Sequence, residues 1–109
     1  MSDCIFCRIV KGGAPANFVF KGDEFVAFHD IQPSAPVHVL IVPVKHIESL
    51  NALGEGDSHL ISRMMLKARE IAKELGIAES GYKVIINVGS GGGQVIFHLH
   101  MHLIGGWGR

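Results

Sequence analysis

A surplus of charge of either sign is missing from this 109-residue chain: ten basic residues balance ten acidic ones, and Lys and Arg are scattered rather than gathered into a stripe. A polyphosphate backbone needs such a stripe, so nucleic acid is not an expected partner. Long apolar runs are missing too. No stretch of roughly 18 or more apolar residues could span a bilayer, and the first residues lack the apolar run of a secretory signal, so no membrane partner and a cytoplasmic location are expected. Cysteine is confined to Cys4 and Cys7, too few for a disulfide-stapled scaffold. Neither an internal repeat nor a linker interrupts the chain, which leaves 1–109 as one expected domain.

What is present is core material: 48% of the residues are hydrophobic and only 18% charged. Ile5, Phe6, Ile9 and Val10 have helical spacing before Gly12, Gly13 and Pro15, which predicts a short amphipathic helix over Cys4 to Val10. Phe18 to Lys21 and Glu24 to Asp30 are expected as two strands around Gly22-Asp23; Pro33 to Pro36 forbids regular pairing before a third strand, Val37 to Val42. From Asp57 the period lengthens. Leu60, Met64, Ala68, Ile71 and Leu75 share one face of a long helix, with Lys67, Arg69, Lys73 and Glu74 largely off it and Gly76 closing it. Tyr82 to Val88 and Val95 to Ile104 complete five strands, separated by the glycine-rich Gly89 to Gly93. The expected fold class is α+β, a mainly antiparallel five-stranded sheet with one long and one short helix.

Chemistry concentrates in His98-Leu99-His100-Met101-His102. On a strand, alternate residues share a face, so the three histidines would line one side while Phe97, Leu99, Met101 and Leu103 enter the core. A lone histidine such as His59, on the long helix, reads as an ordinary polar residue; three in register do not, because desolvating three imidazoles is costly unless each finds a partner. Two chemistries use such a cluster. Three ligands could hold a catalytic zinc, but side chains two residues apart on a straight strand span about 13 Å and cannot all reach one ion. Alternatively, one neutral imidazole attacks phosphorus while its neighbours orient it or handle protons, and the spacing favours this. Cys4-x-x-Cys7 is open to metal binding, redox chemistry or plain burial, although a thioredoxin-like reading lacks its βαβ surroundings.

The triad string through Leu103-Ile104 resembles the signature of the histidine triad family. Phe28-His29-Asp30-Ile31, Pro36-Val37-His38, Val42-Pro43 to Lys45-His46-Ile47, Asn87 and Gly92-Gly93-Gln94 are similar, in the same order, to its branch of histidine triad nucleotide-binding proteins. The likeness implies a nucleotide phosphoramidase or nucleotidyl hydrolase in which His100 attacks the α-phosphorus and becomes nucleotidylated, while His38 and His102 orient it and contact phosphate. It implies a purine mononucleotide, of AMP or GMP type, in an apolar pocket of Ile5, Phe6, Phe28 and Ile31, its ribose hydroxyls held by Asp30 and its phosphate by Asn87 and the N–H groups near Gly93 and Gln94, with His29 and Val95 also among the nucleotide contacts. No cofactor is required for catalysis on this reading.

The same resemblance implies a structural zinc on Cys4, Cys7, His46 and His98, which would withdraw His98 from catalysis, and a homodimer whose sheet continues between subunits through the long helix and the strand after it. Where relatives carry a hydroxyl residue after Gly-Gly-Gln, this chain has Val95, which cannot donate to a leaving nitrogen. The ending Gly105 to Arg109 is similar to a tail that reaches the partner's site but stops early, implying a more open leaving-group pocket; Trp107 reads equally as a cap on the sheet edge. A nucleotide-binding regulatory or scaffold module with weak catalysis, and a dinucleoside polyphosphate hydrolase, are the alternative functions.

Overall fold

A computed structural model of the chain describes residues 4–108. Strands β1 (Phe18–Lys21), β2 (Phe25–His29), β3 (Val37–Pro43), β4 (Tyr82–Ile85) and β5 (Met101–Gly105) form one sheet in the order β1-β2-β3-β5-β4. Every pairing is antiparallel. Helix α1 (Ile5–Val10) covers one face and α2 (Ser58–Glu74) the other, with short 3-10 turns at Leu50–Ala52, Glu55–Asp57 and Ser90–Gly92. The expected α+β class and element order are those observed. No described helix is long and apolar enough to cross a membrane.

Side-chain alternation builds both layers. Phe25 and Ala27 of β2, Val39 and Ile41 of β3, and Met101 and Leu103 of β5 point toward Met64, Ala68, Ile71 and Ala72 of α2. The intervening Val26, Phe28, Leu40 and Val42 face Phe6 and Ile9 of α1. Strands covered on both sides carry almost unbroken apolar runs, as β2 and β3 do. Gly76 ends α2 in the left-handed region at φ +77°, a conformation glycine adopts without strain. Six residues cannot sustain an isolated helix, so α1 depends on burying Phe6, Cys7 and Ile9.

Two strands are shorter than expected. The pairing of β5 begins at Met101 opposite Ile41 and at His102 opposite Ile85, so residues 95–100 have no neighbouring strand and bend through 96–98. Phe97 is consequently 44% exposed rather than in the core. Likewise β4 stops at Ile85, not Val88, because its partner begins at His102. The bend also separates the histidines: His98 does not share a site with His100 and His102.

Candidate active site

On the α1 side of the sheet lies a cleft of about 610 Å³. Ile5, Phe6, Phe28, His29, Asp30, Ile31, Asn87, Gly93, Val95, His100 and His102 all line it, which brings together every expected nucleotide-site residue except Gln94. Phe6 forms its inner wall, edge-on to Phe28 at 5.7 Å and to His100 at 5.0 Å. His38 stands behind the wall at the start of β3, buried, with its Nε2 3.0 Å from Nδ1 of His102.

The proton on each ring follows from its partners, since a neutral imidazole has one donor and one acceptor. Nδ1 of His100 lies 2.8 Å from the backbone carbonyl oxygen of His98, which can only accept, so His100 carries its proton on Nδ1 and leaves Nε2 with a free lone pair. The Ser34 backbone N–H donates to Nδ1 of His38 at 3.0 Å, so neutral His38 carries its proton on Nε2 and donates it to Nδ1 of His102. His102 then keeps its own proton on Nε2. The site therefore presents one bare imidazole nitrogen beside one imidazole N–H, and the two rings are 4.9 Å apart.

The glycine-rich loop departs from expectation. The N–H groups of Gly93 and Gln94 are bonded to the carbonyls of Ser90 and Gly89, both at 3.0 Å, so neither is free for a ligand. Gln94 is buried, and its side chain braces the loop: Oε1 accepts from the Gly89 N–H at 2.8 Å, while Nε2 donates to the carbonyls of Glu48 at 2.7 Å and Ile96 at 3.1 Å. Asn87 donates from Nδ2 to the Gly92 carbonyl at 2.9 Å. The N–H of Val95 has no hydrogen-bond partner among the described residues, and its side chain is 85% exposed at the cleft.

Cys4, Cys7, His46 and His98 converge at the N-terminal end of α1, their donor atoms all within 4.8 Å of one another. His98 is wholly buried and Nε2 meets the Pro43 carbonyl at 2.8 Å, which leaves Nδ1 unprotonated and 3.4 and 3.6 Å from the two Sγ atoms. His46 Nδ1 is 3.1 Å from Sγ of Cys7. A tetrahedral zinc with its usual bond lengths has a sulfur–nitrogen edge of about 3.6 Å, and a carbonyl on the outer N–H is the ordinary support for a ligating histidine. The donor set fits zinc. Asp30, His38 and His102 are comparably close, but the Ser34 N–H keeps the proton of His38 on the nitrogen that would have to ligate, so that group does not fit.

Burial sets the protonation of the rings. It lowers the pKa values of His98 and His100 below the ordinary imidazole value. His102 is pushed down to about 4, first by burial and then by His100 and His38, against a smaller upward pull from Asp30. Burial also pushes the Cys7 thiol up, and the neighbouring Cys4 acts in the same direction.

Ser34 and the Pro43 carbonyl were not legible as site groups, because backbone donors and acceptors carry no residue identity; Ala14, Pro15 and Ala16, which line the outer cleft, look like any turn. The Nζ of Lys83, on edge strand β4, lies 5.6 Å from the centre of the Trp107 ring. Below the ordinary value near 6.5 an unfolded His102 takes a proton that the folded one refuses down to about 4. Its stabilising share is thus full above that window and lost as pH falls through it. Denaturation midpoints should drop between pH 7 and pH 4.5, and less steeply for His102→Asn; equal slopes in the two proteins would contradict the assignment.

Comparison with known proteins accords with this geometry. The family model described as scavenger mRNA decapping enzyme C-term binding matches residues 3–106. Protein HitA of Neisseria gonorrhoeae is 46% identical over 105 residues, 96% of this chain and 97% of that one. A purine nucleoside phosphoramidase of Escherichia coli K12 is 40% identical over 104 residues, 95% of this chain and 87% of that one. The crystal structure of a HIT family hydrolase from Legionella pneumophila superimposes with a TM-score of 0.95 at 43% identity, covering 97% of this chain and 95% of that one. With His98, His100 and His102 placed as described, the chain belongs to the histidine triad family.

Proposed function

We propose that this chain hydrolyses nucleoside phosphoramidates or related nucleotide conjugates at the α-phosphorus, through a covalent nucleotidyl-histidine at His100. The carrying observation is the hydrogen bond from His100 Nδ1–H to the His98 carbonyl, which leaves Nε2 bare at the cleft. Burial holds that ring neutral, so it can attack without first losing a proton. Nε2 forms a bond to phosphorus, the phosphorus–nitrogen bond of the substrate breaks, and the amine leaves with a proton from water, because neutral His102 keeps its Nε2 proton. Water then attacks phosphorus, the bond to Nε2 breaks, and the nucleoside monophosphate departs.

Other groups take roles suited to their positions. Ile5, Phe6, Phe28 and Ile31 offer apolar area for a purine, and Asp30 a carboxylate for the ribose hydroxyls. The His102 Nε2–H, the remaining amide hydrogen of Asn87 and the Val95 N–H are the donors for phosphoryl oxygens as charge develops. Gln94 serves by holding the loop. Val95 supplies no side-chain donor for the leaving group, so the amine's proton comes from elsewhere. The name of the Escherichia coli relative supports a purine phosphoramidate as substrate.

The four-residue cluster is proposed to hold a structural zinc that fastens α1, the base-side wall, to the sheet; all four positions are filled by protein ligands, so it takes no step in the reaction. A homodimer is also proposed: β4 is a sheet edge, and Met65 and Leu66 leave α2 with exposed apolar surface.

Mixing the protein with adenosine 5′-phosphoramidate should give an adenylyl adduct by rapid-quench mass spectrometry and steady AMP release, both lost in His100→Ala; release that survives the substitution would refute the nucleophile. Metal analysis should find about one zinc per chain, much reduced in Cys7→Ser, and equal zinc in both proteins would remove the site. Sedimentation should give twice the chain mass, reduced by Leu66→Glu, whereas a monomer at all concentrations would rule out the dimer.

A further inference from the structure

His38 Nε2 has a single proton and two acceptors within reach: Nδ1 of His102 at 3.0 Å and Oδ2 of Asp30 at 3.4 Å. Its other nitrogen already accepts from the Ser34 N–H, so the ring cannot turn its donor elsewhere without breaking that bond. Asp30 uses Oδ1 to accept from the Gln32 N–H at 2.9 Å, and its carboxylate opens into the cleft. His38 itself is buried and does not line the cleft. A group that never touches the ligand thus stands between the residue facing the sugar and the residue facing the phosphate.

We infer that Asp30 is a sugar-sensing positioning residue: in the empty cleft its Oδ2 competes with His102 for the His38 proton, and a bound ribose diol ends that competition. This rests on the hydrolase reading above. With the diol donating to the carboxylate, His38 gives its hydrogen bond wholly to Nδ1 of His102. An imidazole that accepts more strongly at one nitrogen donates more strongly from the other, because successive hydrogen bonds polarise one another. His102 Nε2–H then stabilises the phosphoryl oxygens better. The sugar is read in the rate of the chemical step as well as in affinity, and the substrate's own ribose completes the catalytic donor.

The test compares adenosine 5′-phosphoramidate with its 2′,3′-dideoxy counterpart in single turnover, with AMP and dideoxy-AMP affinities measured alongside. The wild-type protein should turn over the ribose substrate roughly threefold to tenfold faster at saturation, a part of the 100-fold or more that losing a whole transition-state donor costs. In His38→Gln that rate ratio should fall to near one while the ratio of AMP to dideoxy-AMP affinities stays, since His38 does not touch the sugar; nucleotide binding also shows that the variant is folded. Asp30→Asn keeps an oxygen for the Gln32 N–H and replaces the competing acceptor by an amide donor. It should weaken AMP binding yet speed turnover of the dideoxy substrate. A wild-type rate ratio of one, a ratio that persists in His38→Gln, or slower dideoxy turnover in Asp30→Asn would overturn the inference. No turnover of either substrate by wild type would overturn the hydrolase reading instead.

Discussion

The hydrogen bond from His100 Nδ1 to the backbone carbonyl of His98 is the constraint around which the site is arranged. A carbonyl can only accept, so it determines which nitrogen of His100 is bare without any charged partner. The residue that supplies it is committed at both ring nitrogens, Nε2 to the Pro43 carbonyl and Nδ1 toward two thiols, and the N–H of the next residue, Leu99, donates to the Ile47 carbonyl at 2.6 Å. His98 therefore joins the cysteine cluster to the cleft that His100 lines. Displacing its ring would move the carbonyl that orients His100.

The fold serves this arrangement by making the sheet a two-sided platform. Packing against α2 buries Met101 and Leu103 completely and fixes the start of β5, where His102 points to the opposite face. Packing against α1 sets Phe6 against His98, His100 and Phe28 together, so one aromatic ring belongs to both the cluster side and the cleft side. Low polarity around His100 and His102 follows from the same packing, and it is what keeps both rings uncharged.

Much of this was legible in the sequence, and the failures have definite causes. The period of α2, the hairpin around Gly22-Asp23 and the alternation from His100 to Leu103 were visible because solvent and core impose them residue by residue. Extending that alternation back to Val95 failed, because a strand needs a partner and β3 and β4 both leave β5 before His100. Phe97 turns outward and His98 turns to the cysteines as a result. The cleft positions of Phe28, Asp30 and Asn87 came from resemblance, since nothing in their local pattern distinguishes them from core, loop and strand residues. Gln94 was placed among the phosphate donors, yet its side chain is a buried brace; a glutamine's burial depends on what lies across from it, here Glu48, far away in sequence. Ser34 and Pro43 act through their backbones, which no residue pattern reports.

In the proposed reaction His100 attacks the substrate's phosphorus first, and water attacks only the nucleotidyl-histidine. The stereochemical course at an isotopically labelled, chiral α-thiophosphoramidate of adenosine tests this most directly. Two successive in-line displacements, by His100 Nε2 and then by water, predict net retention of configuration at phosphorus; inversion would mean a single direct attack by water and would contradict the account.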